Sequence, residues 1–203
     1  MVGTVYIASM NMRGAWATQP NNTLKLNVTS AQSLNSLDRK DFSPMTKING
    51  GYKGYWNFET YWQAGKIYSS IPKVKTKKYW KELKEPKRRY PGSKGMKVLY
   101  AEFDDYPNEQ MDYVTSRKKV YVPEYFNLVK NRERAKHWKK IIENGHDVVI
   151  YDFDGPRDEN GKPICLQVDK EMLIKKINDV TFPFGHGYVI AAYLAGLEPK
   201  DYI

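Results

Sequence analysis

Residues 147–153, DVVIYDF, decide the fold class. Three β-branched side chains in a row (Val148, Val149, Ile150) followed by Tyr151 give an almost continuous apolar run with no period-2 alternation. A strand covered on both faces has this pattern, so the run predicts the central strand of a sheet. Working outward, residues 3–10 (GTVYIASM) and 96–103 (MKVLYAEF) predict further strands, and 24–28 (LKLNV) and 163–168 predict shorter ones. Helices are expected between them: 58–68 behind the N-cap Asn57, 74–84 ending before Pro86, 124–130 opening on Pro123, and 132–144 stopping at Gly145. Two more follow, to residue 178 behind the cap Asp169 and over 187–195 with Gly196 at its boundary. Thr29-Ser30 is read as the cap of a short helix through about residue 37. Residues 42–56 carry Pro44, Gly50, Gly51 and Gly54 and predict a hairpin or long turn. Interleaved strands and helices indicate an α+β (mixed α/β) fold, expected as one domain with helices around a small sheet.

The composition sets limits on function. With 203 residues, 41% hydrophobic and 28% charged, and a mean hydropathy of -0.69, the chain can bury one core. It has no apolar run long enough for a membrane span, and its start, MVGTVYIASM, lacks the pattern of a secretory signal. Its single cysteine, Cys165, excludes an intramolecular disulfide framework and fits a reducing compartment, so a cytoplasmic location and no membrane partner are expected.

Charge is concentrated. The chain carries a net +10, yet residues 73–97 hold eleven basic residues against Glu82 and Glu85, leaving the rest nearly neutral. Tyr79, Trp80 and Tyr90 interleave with these cations, the composition of a surface that tracks phosphates and stacks bases. Lys77, Lys78, Lys81, Arg88 and Arg89 are the candidate nucleic-acid contacts; a solvated lysine-rich helix gives the same pattern.

The sequence lacks a Walker A loop, GxGxxG, HExxH, GxSxG and paired CxxC, and His137, His146 and His186 are far apart, so no metal and no cofactor is expected. The informative stretch is residues 41–68, DFSPMTKINGGYKGYWNFETYWQAGKIY. Phe42, Ser43, Pro44, Ile48 and Gly50 lead into Glu59, Tyr61, Gln63, Ala64 and Lys66. This resembles the opening motif of the NADAR family, with Thr60 where that family has a histidine. Pro86, Arg88, Arg89 and Gly92 are similar to a basic-glycine cluster that follows in the family. Asn178-Asp179, Phe182 and Gly185-His186-Gly187 before YVIAAYLAG resemble its ending, without the family's tryptophan.

The resemblance implies an N-glycosidase acting on an ADP-ribose-type nucleotide, including ADP-ribose joined to guanine. It makes Glu59 a candidate to stabilise an oxocarbenium ion or orient water, Lys66 a candidate to trap the sugar as a Schiff base, and Asp179 a second acid. On a helix, Glu59, Gln63 and Lys66 stand at i, i+4 and i+7 and project from one stripe close to Trp62, with Gln63 and Trp62 as substrate contacts. The backbone of Gly185, His186 and Gly187 before the last helix is a candidate pyrophosphate cradle, and Arg13 a further phosphate contact. Asp152 and Asp154, at the end of the strongest strand, form a reserve site for a metal or a polarised water. Two other readings stay open: a noncatalytic nucleic-acid binder using residues 73–97, and an inactive ADP-ribose binder. The residues alone also fit solvated helix charges beside a Tyr61–Trp62 core contact and a turn-forming Asp179.

Overall fold

The computed structural model describes residues 1–12, 20 and 22–203; Arg13 lies outside the described residues. In chain order its regular elements are β1 (Val5–Ser9), β2 (Leu24–Asn27), α1 (Leu37–Phe42), α2 (Phe58–Ala64), β3 (Lys66–Tyr68), α3 (Lys73–Glu82), β4 (Val98–Ala101) and α4 (Tyr113–Ser116). A π-helical turn, Arg117–Tyr121, leads into α5 (Val122–Val129), then α6 (Glu133–Glu143), β5 (Val148–Asp152), β6 (Cys165–Gln167), α7 (Lys170–Asn178) and α8 (His186–Leu194). The fold is α+β, a small mixed sheet with helices around it. Among the described residues no helix is long and apolar enough to cross a membrane. The chain divides into two compact units: Met1–Ser43 with Val122–Ile203, and the intervening Pro44–Tyr121.

The first unit is built on a four-stranded sheet in the order β2-β5-β1-β6, parallel except for β6. The apolar run does occupy an interior position: all five residues of β5 are buried, and it pairs with β1 and β2 at once, Ile150 facing Ile7 and Leu26. Helix α8 packs against β1 and β5. It is apolar all round, as burial demands: Tyr188 to Ala192 and Leu194 are all buried. Alternate side chains form a second cluster, with Ala8, Val149 and Tyr151 meeting Met12.

The helix expected after Thr29-Ser30 is absent; regular helix starts only at α1, capped by Ser36. Side chains divert the backbone first. The Asn27 side chain accepts the Thr29 N–H at 2.9 Å, and the Gln32 amide donates to the carbonyls of Asn27 and Thr29. Groups that a helix would pair internally are thus already committed.

In the second unit, α2 packs on α3, and β3 pairs antiparallel with β4. The glycine-rich stretch forms turns, with a Tyr52–Tyr55 bridge and positive φ at Gly50, Gly51 and Gly54. An aromatic cluster of Tyr52, Tyr55, Phe58, Tyr61, Trp62, Phe103 and Tyr121 forms the core, with ring centroids 4.9–6.3 Å apart. Such pairs each contribute about 0.5–1.5 kcal/mol beyond their buried area.

Helix α2 starts with a reciprocal cap. The Asn57 side chain accepts the Thr60 N–H at 2.8 Å, and the Thr60 hydroxyl oxygen accepts the Asn57 N–H at 3.0 Å. Thr60, the departure from the NADAR motif, is therefore a fully buried capping residue. The helix ends at Ala64, four residues before the expected end, and Lys66–Tyr68 is strand. Gly65 makes this break. A Cβ there would lie 2.6 and 2.7 Å from two ring carbons of Phe103, so only glycine lets that ring, 3% exposed, close over the helix end.

Candidate functional site

The second unit holds a cavity of about 330 Å³, at the small end for ligand pockets and close to the size of a nucleoside. Trp62 of α2 and Lys66, the first residue of β3, form one side; all four residues of β4 form another. Phe103, Met111, Tyr113 and Ser116 complete it. The Trp62 and Phe103 rings stack inside, centroids 5.5 Å apart and 19° from parallel. Tyr113, half exposed, lies over the Arg117 guanidinium, 3.7 Å from the ring centroid, and Arg117 is buried in the π-helical turn. Turns of this kind recur where a helix is locally reshaped around a site.

Among the described residues, Lys66 is the one amine in this lining. Burial among apolar groups pushes it below the usual lysine range; Glu59 opposes that shift by favouring the cation, and the nearby Arg89 guanidinium adds to it. Next to it, the Gln63 amide donates to Glu59 Oε1 at 2.7 Å. Gln63 is 6% exposed and its own carbonyl oxygen has no hydrogen-bond partner among the described residues. Trp62 and Lys66 thus face the cavity, while Glu59 and Gln63 form a hydrogen-bonded pair on the neighbouring stripe of α2. The expected i, i+4, i+7 stripe is corrected in one respect: Lys66 stands on β3, not on the helix.

Asp179, the Gly185-His186-Gly187 turn, Asp152 and Asp154 fall in the first unit. Asp179 is the C-cap residue of α7, and its carboxylate accepts the Thr181 N–H at 2.8 Å, a local turn. The Gly185-His186-Gly187 turn does open a helix, but the chain's own carboxylate already sits there. Asp152 Oδ2 accepts the Gly187 N–H at 3.0 Å and lies 3.4 Å from His186 Nδ1. His186 Nε2 is 2.8 Å from the Val28 carbonyl oxygen, so that nitrogen carries the hydrogen and donates. A Cβ on Gly187 would stand 2.7 Å from Asp152 Oδ2, and one on Gly185 2.9 Å from Asp154 Oδ2. The proposed phosphate cradle and the reserve carboxylates are therefore one structure, in which acids satisfy a helix N-terminus. Among the described residues no group of three or more His, Cys, Asp and Glu could hold a metal ion. Burial pushes the Cys165 thiol up to about 11.

The basic segment is partly neutralised. Lys77 and Lys81 pair with Asp104 at 2.7 and 3.0 Å, and Lys73 pairs with Glu102. Although burial alone would raise the Asp104 carboxyl, hydrogen bonds from Lys77, Lys81 and Tyr55 hold it down at about 2. Lys78 reaches Glu82 at 3.8 Å, both exposed.

Sequence reasoning did not place Tyr100, Phe103, Met111, Tyr113, Ser116 or Arg117 at a site. One local signal was available: Tyr113 and Arg117 stand at i, i+4. No family model, no curated protein and no solved structure matches the chain.

Proposed function

We propose that the cavity of the second unit is the active site of an N-glycosidase acting on an ADP-ribose-type nucleotide, as the motif's resemblance to NADAR proteins implies, with Lys66 as nucleophile. The observation that carries this reading is an amine with a depressed pKa lining an aromatic, nucleoside-sized cavity beside a carboxylate. A neutral amine is nucleophilic where an ammonium is not, and desolvation in an apolar pocket is how lysines reach that state. The Trp62 and Tyr113 rings line the cavity in which a base or ribose would sit.

The neutral Lys66 amine attacks C1 of the ribose as the C1–N bond breaks, its electron pair leaving on the nucleobase nitrogen. One proton of the resulting ammonium passes to Glu59 and from there to the departing nitrogen. The remaining N–H proton moves to the ring oxygen as the sugar opens, leaving a Schiff base. Water adds to the C=N bond and releases ADP-ribose and free Lys66. The Gln63 amide holds Glu59 in place throughout.

The test is incubation with ADP-ribosylated guanosine, with and without sodium borohydride, read by mass spectrometry. Free ADP-ribose and a reduced adduct on Lys66 are expected; Lys66→Arg should lose both, and Glu59→Gln should slow release about 10²–10⁴-fold. Release that persists in Lys66→Arg refutes the nucleophile. No release from this substrate, from ADP-ribosylated DNA or from NAD refutes the activity.

A further inference from the structure

The ion pairs divide the basic segment into two parts of different character. On α3, Lys73, Lys77 and Lys81 share the carboxylates of Glu102 and Asp104 and Lys78 reaches Glu82, which leaves Lys75 as the exposed lysine of this helix with no ion pair within 4 Å among the described residues. Beyond α3, in the irregular strap of residues 83–97, Lys87 pairs with Glu85. Lys84, Arg88, Arg89, Lys94 and Lys97 are exposed and make no ion pair within 4 Å among the described residues. The cations left to act on a partner are thus concentrated in the strap.

The strap is fixed at several points. Ser93 is buried and its hydroxyl donates to the Tyr90 carbonyl at 2.8 Å. The Tyr90 ring packs edge-on against Tyr79, centroids 5.0 Å apart, and Ser69 N–H donates to the Lys97 carbonyl. Its far end runs directly into β4, which walls the cavity, and Arg89 lies close enough to Lys66 to act on its charge. Five unbalanced cations on a fixed support, with two half-buried tyrosine rings among them, lead to a cavity that admits one base and no duplex.

We propose that the strap of residues 83–97 binds the phosphate backbone of a single-stranded nucleic acid. The charge argument for this surface stands on its own; delivery of a nucleotide from the bound strand to the cavity rests on the reading above. Unbalanced cations release counterions from a polyanion, whereas Lys73, Lys77 and Lys81 must first give up Glu102 or Asp104 and gain little. Single strands suit this surface because bases must be unpaired both to stack on the accessible part of these half-buried rings and to enter a pocket of nucleoside size.

The test is fluorescence anisotropy of the full chain with a labelled 12-nucleotide single strand of mixed sequence, between 50 and 200 mM KCl. Each phosphate contact contributes about -0.7 to the slope of log K against log salt on single strands, so five cations predict about -3.5. Replacing Lys84, Arg88, Lys94 and Lys97 together by serine should cut the slope to about -0.7 and weaken binding at least tenfold at 50 mM. The charge-conserving exchange, Arg88→Lys with the three lysines changed to arginine, should preserve binding. An equal loss of charge in the first unit, at Lys140, Lys162, Lys170 and Lys175, should leave the slope within 0.5 of wild type. Equal weakening by that control, no salt-dependent binding by wild type, or strap-dependent binding to phosphatidylserine vesicles with none to the oligonucleotide overturns the proposal. The vesicle arm matters because Met96, Val98 and Leu99 are exposed at the strap's end. The borohydride adduct on Lys66 reads the cavity separately, so loss of one result leaves the other interpretable.

Discussion

Replacing Gly65 by alanine tests the contact that shapes the cavity. Gly65 has φ -70° and ψ -20°, so an alanine meets no backbone strain there and its helix propensity is, if anything, better. The cost is steric. The new Cβ would stand 2.6 Å from Phe103 Cζ, 2.7 Å from Cδ1 and closer still to Cε1. Ordinary contact needs roughly 3.5–4 Å, so the ring must retreat by about 1 Å. It cannot do so freely, because it stacks on Trp62 and also meets Tyr61 at a centroid distance of 5.4 Å. Overpacking of this kind costs about 1–3 kcal/mol. At about 2 kcal/mol, a chain of this length should melt ~4–8 °C lower if the transition is cooperative. Differential scanning calorimetry gives the shift. The double variant Gly65→Ala with Phe103→Leu should melt above the Gly65→Ala, because the smaller side chain yields. A Gly65→Ala protein as stable as wild type would refute the reasoning, since the ring would then have room that the geometry denies it.

Three further outcomes follow from other elements. Thr60→Val keeps the shape of a buried side chain but removes the hydroxyl that accepts the Asn57 N–H, so urea denaturation should show a loss of about 1–2 kcal/mol. Asp104→Asn should destabilise the protein at pH 7. The folded pKa of Asp104 is about 2, below its ordinary value, so its stabilisation is present above pH 4 and lost as pH falls through 2; the gap between variant and wild-type stability should close over that window. Asp152→Ala leaves the buried Gly187 N–H without its acceptor, costing about 1–3 kcal/mol, and Asp152→Asn, whose amide oxygen can still accept, should recover most of it. A melting temperature for Asp152→Ala equal to that of wild type would contradict the assigned cap.

The parts of the fold written in local composition were legible. The 147–153 run needed no partner to be identified as an interior strand, because three β-branched residues in succession suit a sheet and little else. Asn57 and Asp169 were identified as caps and do accept N–H groups from Thr60 and Met172. The error at the end of α2 has a specific origin. The pattern Phe58, Tyr61, Trp62, Gly65 continues one helical face through the glycine, and no local signal says that Phe103, far along the chain, fills the space where another turn would go. The cavity was illegible for the same reason: β4, Met111, Tyr113 and Ser116 carry no motif, and they line it only because β3 and β4 pair. Charge was legible as a sum but not as a balance, since the acids that neutralise Lys73, Lys77 and Lys81 lie outside the segment that was counted.

The glycine turn before α8 shows where sequence logic about anion sites reaches its limit. A helix N-terminus preceded by two glycines offers unpaired N–H groups, and an anion is the expected answer to them. The sequence also contains that anion. Asp152 ends β5, in register with Ser9 of β1, and α8 packs across those two strands, so its first turn comes down on the end of β5. The glycines then have a purely steric purpose, because any side chain at Gly187 would strike the carboxylate that caps it. Donors can be read from a sequence, but their partner is set by the strand end that packing brings beneath them. In the second unit the balance is opposite: among the described residues the Gln63 carbonyl oxygen is buried with no hydrogen-bond partner, and the Lys66 amine is desolvated with the opposing charge of Glu59 nearby. Polar groups that a fold leaves short in this way are where a ligand has most to offer, which is why the cavity beside α2 carries the functional reading and the turn before α8 does not.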